Sequence, residues 1–237
     1  MLSVLVHFFE DGRWGSPVET AVAGQSLTAE DQLFLLMQAA KYLTATRGLG
    51  SPEARICCEC AEPLCYSLNR PRLLCLALRG QWRYKVMTSK LSAALQIAER
   101  VYSLAQEQED PALMIGAYNA LAGPHYYLGD FEFARQYGRQ GVQIWRSGNV
   151  QSLAEEFHTP VVGCLGYMAM SEWHLGEIAS YQATITESDR TSKGAERHEC
   201  ISPGDKLLLT MGVILLRWNA WHRIQLNWQR ITILSIF

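Results

Sequence analysis

The sequence predicts an all-α protein in which antiparallel helix pairs stack into a short solenoid that is irregular at both ends, and three observations support this fold class. Apolar residues recur at intervals of three and four between residues 30 and 187, which is the spacing of amphipathic helices. Proline, glycine and acidic residues interrupt the pattern at helix-length intervals, as helix boundaries do. We find no alternating apolar and polar stretch of strand length there. Helix-on-helix packing therefore follows.

Boundary residues predict the first four helices. Gly48 can cap the end of the first helix. The run Ser51-Pro52-Glu53 supplies an N-cap, a proline in the first turn and an acid near the positive end of the helix dipole. Asn69-Arg70-Pro71 restarts the chain in the same way. The helices expected from these signals begin near residues 30, 52, 71 and 90, and they end near residues 47, 68, 86 and 106.

Similar signals predict four more helices. Asp110-Pro111 begins the fifth helix, and Leu128-Gly129-Asp130 separates it from the sixth. A loop over residues 147–160 precedes the seventh helix, and Leu175-Gly176-Glu177 separates that helix from an eighth that begins near residue 178. Pro124 stands inside the fifth helix, where a proline loses a backbone hydrogen bond and costs about 3 kcal/mol. A kink or an early helix end is expected there.

One helix pair carries a repeat-like motif. It contains Tyr118, Leu121 and Ala122 before the Leu128-Gly129-Asp130 turn, and then Phe131 and Ala134. Small residues in such a pair let the two backbones approach, and stacking of neighbouring pairs buries the remaining apolar face. The unit resembles a tetratricopeptide repeat. Its spacings of 40 residues (Ala94 to Ala134) and 47 residues (Gly129 to Gly176) are longer than the 34 residues of that repeat.

A wider set of residues narrows the resemblance. Residues 33–186 are similar to the C-terminal helical-repeat region of bacterial signalling proteins in which a class III adenylate or guanylate cyclase domain and an AAA-type ATPase module precede the repeats. The ordered matches are Leu43 to Gly48, Pro52-Glu53, Gly80 to Tyr84, Ala105, Asp110 to Leu113, and Leu128 to Asp130. The resemblance implies an interaction or signal-relay module, truncated from a larger regulator, that binds a protein or peptide.

The sequence gives no sign of the catalytic parts of such regulators. We find no phosphate-binding loop of the form G-x-x-x-x-G-K-[ST] and no room for a cyclase domain beside the repeats. We therefore expect no enzymatic activity and no cofactor. The net charge of −2 shows no excess of basic residues of the kind that nucleic-acid-binding proteins carry. Seven cysteines, an odd number, together with the lack of an export signal favour free thiols in a reducing cytoplasm.

Arg79, Trp82, Arg83 and Tyr84 form a cluster in the third predicted helix. Arginine and aromatic side chains carry much of the binding energy at protein interfaces, so this cluster is the candidate partner-binding surface. In the alternative interpretation, Trp82 belongs to the core and the charges are merely solvated.

Two other groups of residues are candidates, one for a metal site and one for a ligand pocket. Cys57, Cys58, Cys60 and Cys65 lack the second close pair that a structural zinc site uses, so we expect thiols that pack between helices. The stretch from His125 to Tyr127 suggests a ligand pocket, whereas Tyr127 and Leu128 also fit the stripe of packing residues. We therefore predict no metal site and no catalytic residue.

Both ends of the chain differ from its centre. Residues 1–29 form an irregular N-terminal segment, residues 30–187 hold the repeats, and residues 188–237 form an atypical tail with Trp218, Trp221 and Trp228. The cationic, tryptophan-rich tail could anchor a protein at a membrane surface. Alternatively, a frame shift near codon 188 produced this tail, and the chain is a non-functional gene fragment. We do not expect membrane contact, whereas repeats without polar caps would favour self-association.

Overall fold

The structure, a computed structural model, describes residues 28–148 and 160–198. Over these ranges the chain forms eight α-helices and no strand, which confirms the predicted all-α class. The helices are α1 (Ala29–Arg47), α2 (Pro52–Ser67), α3 (Pro71–Met87), α4 (Leu91–Glu107), α5 (Pro111–Leu128), α6 (Phe131–Arg146), α7 (Pro160–His174) and α8 (Ile178–His198).

The helices stack in sequence order as a two-layer solenoid. Each helix packs against the helix before it and the helix after it. Helix α5 also packs sideways against α3 and α7, so the odd-numbered helices form one layer. The even-numbered helices α2, α4 and α6 each pack against two helices of that layer, and α8 packs against α7. Helix pairs that repeat in this way bury their apolar faces only when they stack on their neighbours.

The turns between helices show a regular repeat. Asn69, Ser89, Glu109 and Gly129 adopt a positive φ and lie twenty residues apart. After the turn residues Asn69, Ser89 and Gly129, the next backbone N–H donates to a carbonyl five residues earlier, as between Asp130 and His125 (2.9 Å). This is the bonding that closes a helix through a left-handed residue. A helix pair thus recurs every forty residues over this range. Gly148 at the end of α6 and Gly176 at the end of α7 also adopt a positive φ, and the α6–α7 connection between them is longer than the other turns.

Side-chain caps fix where the helices begin. The Ser51 hydroxyl accepts a hydrogen bond from the Ala54 amide, and the Asp110 carboxylate accepts one from the Ala112 amide (2.9 Å). These are the capping roles expected of the two residues. Of the two outcomes expected at Pro124, a kink or an early end of α5, the early end is wrong. The helix continues to Leu128, and Pro124 is fully buried, so packing offsets the lost hydrogen bond.

Small residues allow the helices to approach closely. Ala94, Ala98 and Ala134 are fully buried, as the repeat-like motif predicts. On α6, Gly138 lies so near α7 that a Cβ atom there would be 2.7 Å from the Cys164 carbonyl oxygen. Two clusters of buried apolar residues follow from this packing, one spanning α1 to α5 and the other spanning α5 to α7.

The described helices extend beyond both predicted limits of the repeat region, residues 30 and 187. Helix α1 begins at Ala29 with Thr28 as its cap, while α8 extends beyond residue 187 to His198. Residues 1–27 and 199–237 lie outside the described residues. The expectations for the tryptophan-rich tail, including membrane anchoring and a frame shift, therefore concern a part of the chain that the structure does not describe.

Candidate partner-binding cleft

A cleft opens between α1, α2 and α3. Helices α1 and α3 lack the close side-by-side packing that joins α3 to α5 and α5 to α7. Residues of α2 line the cleft between them. The cleft is lined by Lys41 of α1, Arg55 and Cys58 of α2, and Arg79 and Arg83 of α3. The structure thus brings two of the four predicted surface residues together with two cations that the sequence analysis did not single out. We call this feature the cationic cleft.

The two arginines of α3 occupy different environments. Arg79 is only 5% exposed, and its guanidinium lies against Gly116 of α5, where a Cβ atom would be 2.9 Å from Nη1. Arg83 is half-buried near the thiol of Cys58. Burial raises the pKa of Cys58 to about 12, although the positive charge of Arg83 acts in the opposite direction. Arg79 therefore forms part of the α3–α5 contact, while Arg83 is the more accessible charge.

The other two predicted surface residues do not line the cleft. Trp82 is 5% exposed and belongs to the core, where its ring packs against Gly123 of α5. This placement agrees with the alternative interpretation of Trp82 as a core residue. Tyr84 is half-buried, and the Arg55 guanidinium lies 5.0 Å from the centre of its ring. Tyr84 thus holds a cleft cation through a cation–π contact.

The acidic residues nearest the cleft already have cationic partners. Arg55 forms an ion pair with Glu59 at 2.5 Å, and Arg47 pairs with Glu53 at 2.6 Å. Burial alone would raise the pKa of Glu53, but hydrogen bonds from Ser51 and Arg47 outweigh it and lower the pKa. Of the described residues that line the cleft, Lys41, Arg55, Arg79 and Arg83 are cationic and none is acidic.

The cleft itself is small. The space open to water-sized molecules is about 30 Å³, whereas pockets for small-molecule ligands enclose roughly 300–1,000 Å³. A volume of this size suits the end of one side chain. The arrangement can therefore hold an anchor residue of a larger partner, with the rest of the partner lying across the helices.

Three of the four cysteines of α2 are buried as the sequence predicts, and the fourth is not. Cys57, Cys58 and Cys65 are buried, and Cys60 is exposed. Burial raises the pKa of Cys57 to about 12 and that of Cys65 to about 11. The Cys58 sulfur contacts Gly80 of α3. In the described ranges, no group of three or more histidine, cysteine or acidic side chains is placed to hold a metal ion.

The His125–Tyr127 stretch contributes to contacts between helices. His125 lies 3.3 Å from the Asp130 carboxylate, and the Tyr126 hydroxyl lies 3.2 Å from Nε2 of His174 on α7. Tyr127 and Leu128 are each 50% exposed at the end of α5, so the interpretation of both as packing residues is only partly right. The Tyr127 ring packs edge-on against Tyr167 of α7, with the ring centres 6.3 Å apart.

The chain matched no model of a known protein family, and a search of curated proteins found no match. Its resemblance to the repeat region of cyclase–ATPase regulators remains a prediction. Among the described residues, we found no helix with both the length and the apolar character that crossing a membrane requires.

Proposed function

We propose that this protein is a non-enzymatic interaction module that binds a protein or peptide partner in the cationic cleft, and that it is part of a cyclase- or ATPase-type signalling regulator. The observation that carries the binding proposal is the separation of α1 from α3, which opens a charged cleft in an otherwise close-packed layer. Stacked helical repeats provide extended surfaces suited to such partners. The link to a signalling regulator depends on the sequence resemblance alone.

The chemistry of the cleft favours binding over catalysis. Guanidinium groups remain protonated and cannot serve as general bases. Cys58 lines the cleft, but its burial raises the thiol pKa to about 12, whereas cysteine nucleophiles have a lowered pKa. Arginine is instead well suited to recognition, because its planar group presents several donors in a fixed geometry.

Selection from a random peptide library on the full chain tests this proposal. We expect enrichment of peptides that bind the native chain and lose binding to the variant Arg83→Glu. The matched control is Lys90→Glu, because Lys90 is exposed in the α3–α4 turn and does not line the cleft. If no peptides are enriched, or if the enriched peptides bind both variants equally well, this site is not the binding surface.

Assays on the purified chain address the competing interpretations. We expect no nucleotide-cyclase or ATPase turnover, and a turnover that a point substitution abolishes would contradict the non-enzymatic proposal. Flotation with liposomes tests the membrane alternative. Binding that disappears on deletion of residues 206–237 would favour a tail-anchored protein.

A further inference from the structure

We infer that Glu172 of α7 is a proton-binding site that regulates the docking of α8, the last helix that the structure describes. The neutral Glu172 carboxyl allows α8 to pack against α7, and loss of its proton weakens this packing. Glu172 is not among the residues that line the cationic cleft. The inference therefore concerns a second feature of the chain and does not depend on the proposed binding function.

The surroundings of Glu172 oppose a negative charge. The residue is 4% exposed, and the hydroxyl of Thr184 on α8 hydrogen-bonds to its carboxyl group. The second carboxyl oxygen, Oε2, is buried and has no hydrogen-bond partner among the residues that the structure describes. A buried carboxylate needs hydrogen bonds or opposite charges to replace the water it has lost. An oxygen without such a bond favours the neutral form of the group.

The charged groups around Glu172 compensate an ionised carboxylate only in part. Arg135 and Arg139 of α6 favour the negative charge, whereas Glu177, just before α8, opposes it. Arg135 is also ion-paired with Glu177. Burial has the largest effect, and it raises the pKa of Glu172 despite the two arginines and the hydrogen bond from Thr184. The packing of α8 therefore favours a protonated carboxyl group.

Helix α5 also packs against α7, and the titratable side chains at that contact include Tyr126 and Tyr127 of α5 and Tyr167 and His174 of α7. Burial raises the pKa of each of the three tyrosines, so their hydroxyl groups stay neutral between pH 5 and pH 8. Histidine titrates in this range. The test must therefore separate the effect of His174 from that of the glutamate.

Helix α8 has few other buried contacts that could hold it in place. Over residues 178–191, where its side chains are described, Tyr181 and Thr184 are the buried ones. Arg146 of α6 forms an ion pair with Glu187 of α8, and the two side chains are 56% and 32% exposed. Exposed ion pairs contribute little to stability. The charge state of one buried carboxyl group can therefore change the docking equilibrium of α8 measurably.

The direction of the pH dependence follows from the raised pKa. In the undocked state water reaches Glu172, and its pKa returns toward the ordinary glutamate value of about 4.3. The docked state therefore binds more protons than the undocked state. Docking is strongest below the pKa of the undocked state and weakens as the pH rises through the pKa of the docked state. Between these two values the ratio of undocked to docked chains increases by up to about tenfold per pH unit.

Hydrogen exchange of the full chain, followed by mass spectrometry of peptides from α8, tests this inference. Exchange rates between pH 5 and pH 8 are divided by the intrinsic rates of the same peptides, which gives the opening constant of α8 at each pH. We expect this constant to rise with pH in the native chain. In Glu172→Gln the rise should be lost, because glutamine has nearly the same shape and carries no charge. The native histidines are present in both chains, so the difference between them isolates the carboxyl group.

The matched control is Glu187→Gln, which neutralises a partly exposed carboxylate on α8 itself. This variant loses the ion pair with Arg146, so it should open slightly more at every pH and retain the rise with pH. Circular dichroism shows whether each variant keeps its helices. If Glu172→Gln does not fold, Thr184→Val is the deciding variant. It removes the hydrogen bond that favours the ionised carboxylate, so the rise should continue to higher pH than in the native chain.

Three results would overturn the inference. An equal rise in the native chain and in Glu172→Gln would assign the pH dependence to another group, such as His174. An opening constant of the native chain that does not change with pH would show that Glu172 does not exchange a proton when α8 undocks. A Glu172→Gln chain that opens more than the native chain at pH 8 would show that the ionised carboxylate stabilises the docking of α8.

Discussion

Substituting Gly138 by alanine is the sharpest test of the helix packing. Gly138 lies in the interior of α6, facing α7. A Cβ atom at this position would lie 2.7 Å from the Cys164 carbonyl oxygen and 3.0 Å from the Met168 Cβ. The obstructing oxygen belongs to the backbone of a helix, so no side-chain rotation can relieve the clash. Helices α6 and α7 would have to move apart by several tenths of an ångström.

The net effect is the difference between two opposing contributions. Adding a methyl group to a filled contact costs typically about 1–3 kcal/mol, while alanine is about 1 kcal/mol better than glycine in a helix interior. Because the obstructing atom is main chain, we expect a cost in the upper part of that range. Gly138→Ala should therefore lower the free energy of unfolding by roughly 1–2 kcal/mol.

The matched control is Gly166→Ala in α7. An added Cβ there meets no atom within 4 Å, so only the gain in helix propensity of about 1 kcal/mol remains. Urea unfolding of the full chain, followed by circular dichroism, should show the midpoint lower for Gly138→Ala and higher for Gly166→Ala. If Gly138→Ala is as stable as the native chain while Gly166→Ala is stabilised, α6 and α7 do not approach as closely as described.

Asp110→Ala removes the cap that accepts from the Ala112 amide, so the free energy of unfolding should fall by about 1 kcal/mol. Asp110→Asn retains an accepting oxygen and should recover most of the loss in the same urea titration. Burial of Glu172 raises its pKa, so its ionisation destabilises the fold above that pKa, and this penalty disappears as pH falls toward the pKa of the unfolded chain. Glu172→Gln should therefore raise the urea midpoint more at pH 8 than at pH 5, and an equal rise would contradict this account. Iodoacetamide should modify the exposed Cys60 before the buried Cys57, and peptide mapping after a short labelling period would show the order.

The helix boundaries could be predicted because local residues determine them. Ser51 and Asp110 act as caps through their own side chains, and Gly129 adopts the left-handed conformation that its residue type permits. The outcome at Pro124 could not be predicted in this way. Its burial offsets the free-energy cost of a proline inside a helix. That burial depends on residues distant in the sequence, whereas the cost can be predicted from the local sequence.

The regular twenty-residue spacing of the turns could not be predicted from the sequence, because residue type does not mark the turn positions. Asn69, Ser89, Glu109 and Gly129 share one backbone conformation but no common residue type. Positive φ at serine or glutamate is uncommon, so these positions did not stand out as turns equivalent to Gly129. The spacings between apolar and glycine positions show the repeat less clearly, because the longer α6–α7 connection interrupts them.

The candidate site shows the same division between local and non-local information. The cluster in α3 identified Arg79 and Arg83 as candidate binding residues. Lys41 and Arg55 come from α1 and α2, and only the stacking of the helices brings them to the same cleft. The sequence could not distinguish Trp82 as a surface residue from Trp82 as a core residue, because that choice depends on the approach of Gly123 from α5.

The cleft lies at a junction where the residue pattern of the repeat changes. Two contacts of the odd-numbered layer follow the cleft, α3–α5 and α5–α7. In each, a polar side chain of the first helix lies against a glycine of the second: Arg79 against Gly116, and Asn119 against Gly163. Gly116 precedes the left-handed turn residue Gly129, and Gly163 precedes Gly176, by the same number of residues that separates Leu76 from Ser89. Leu76 thus occupies the equivalent position on α3 and lines the cleft, so α3 has no glycine there to receive a side chain of α1 as Gly116 receives Arg79. The junction that departs from the repeat in this way is the one beside Arg79 and Arg83, where the proposed binding site lies.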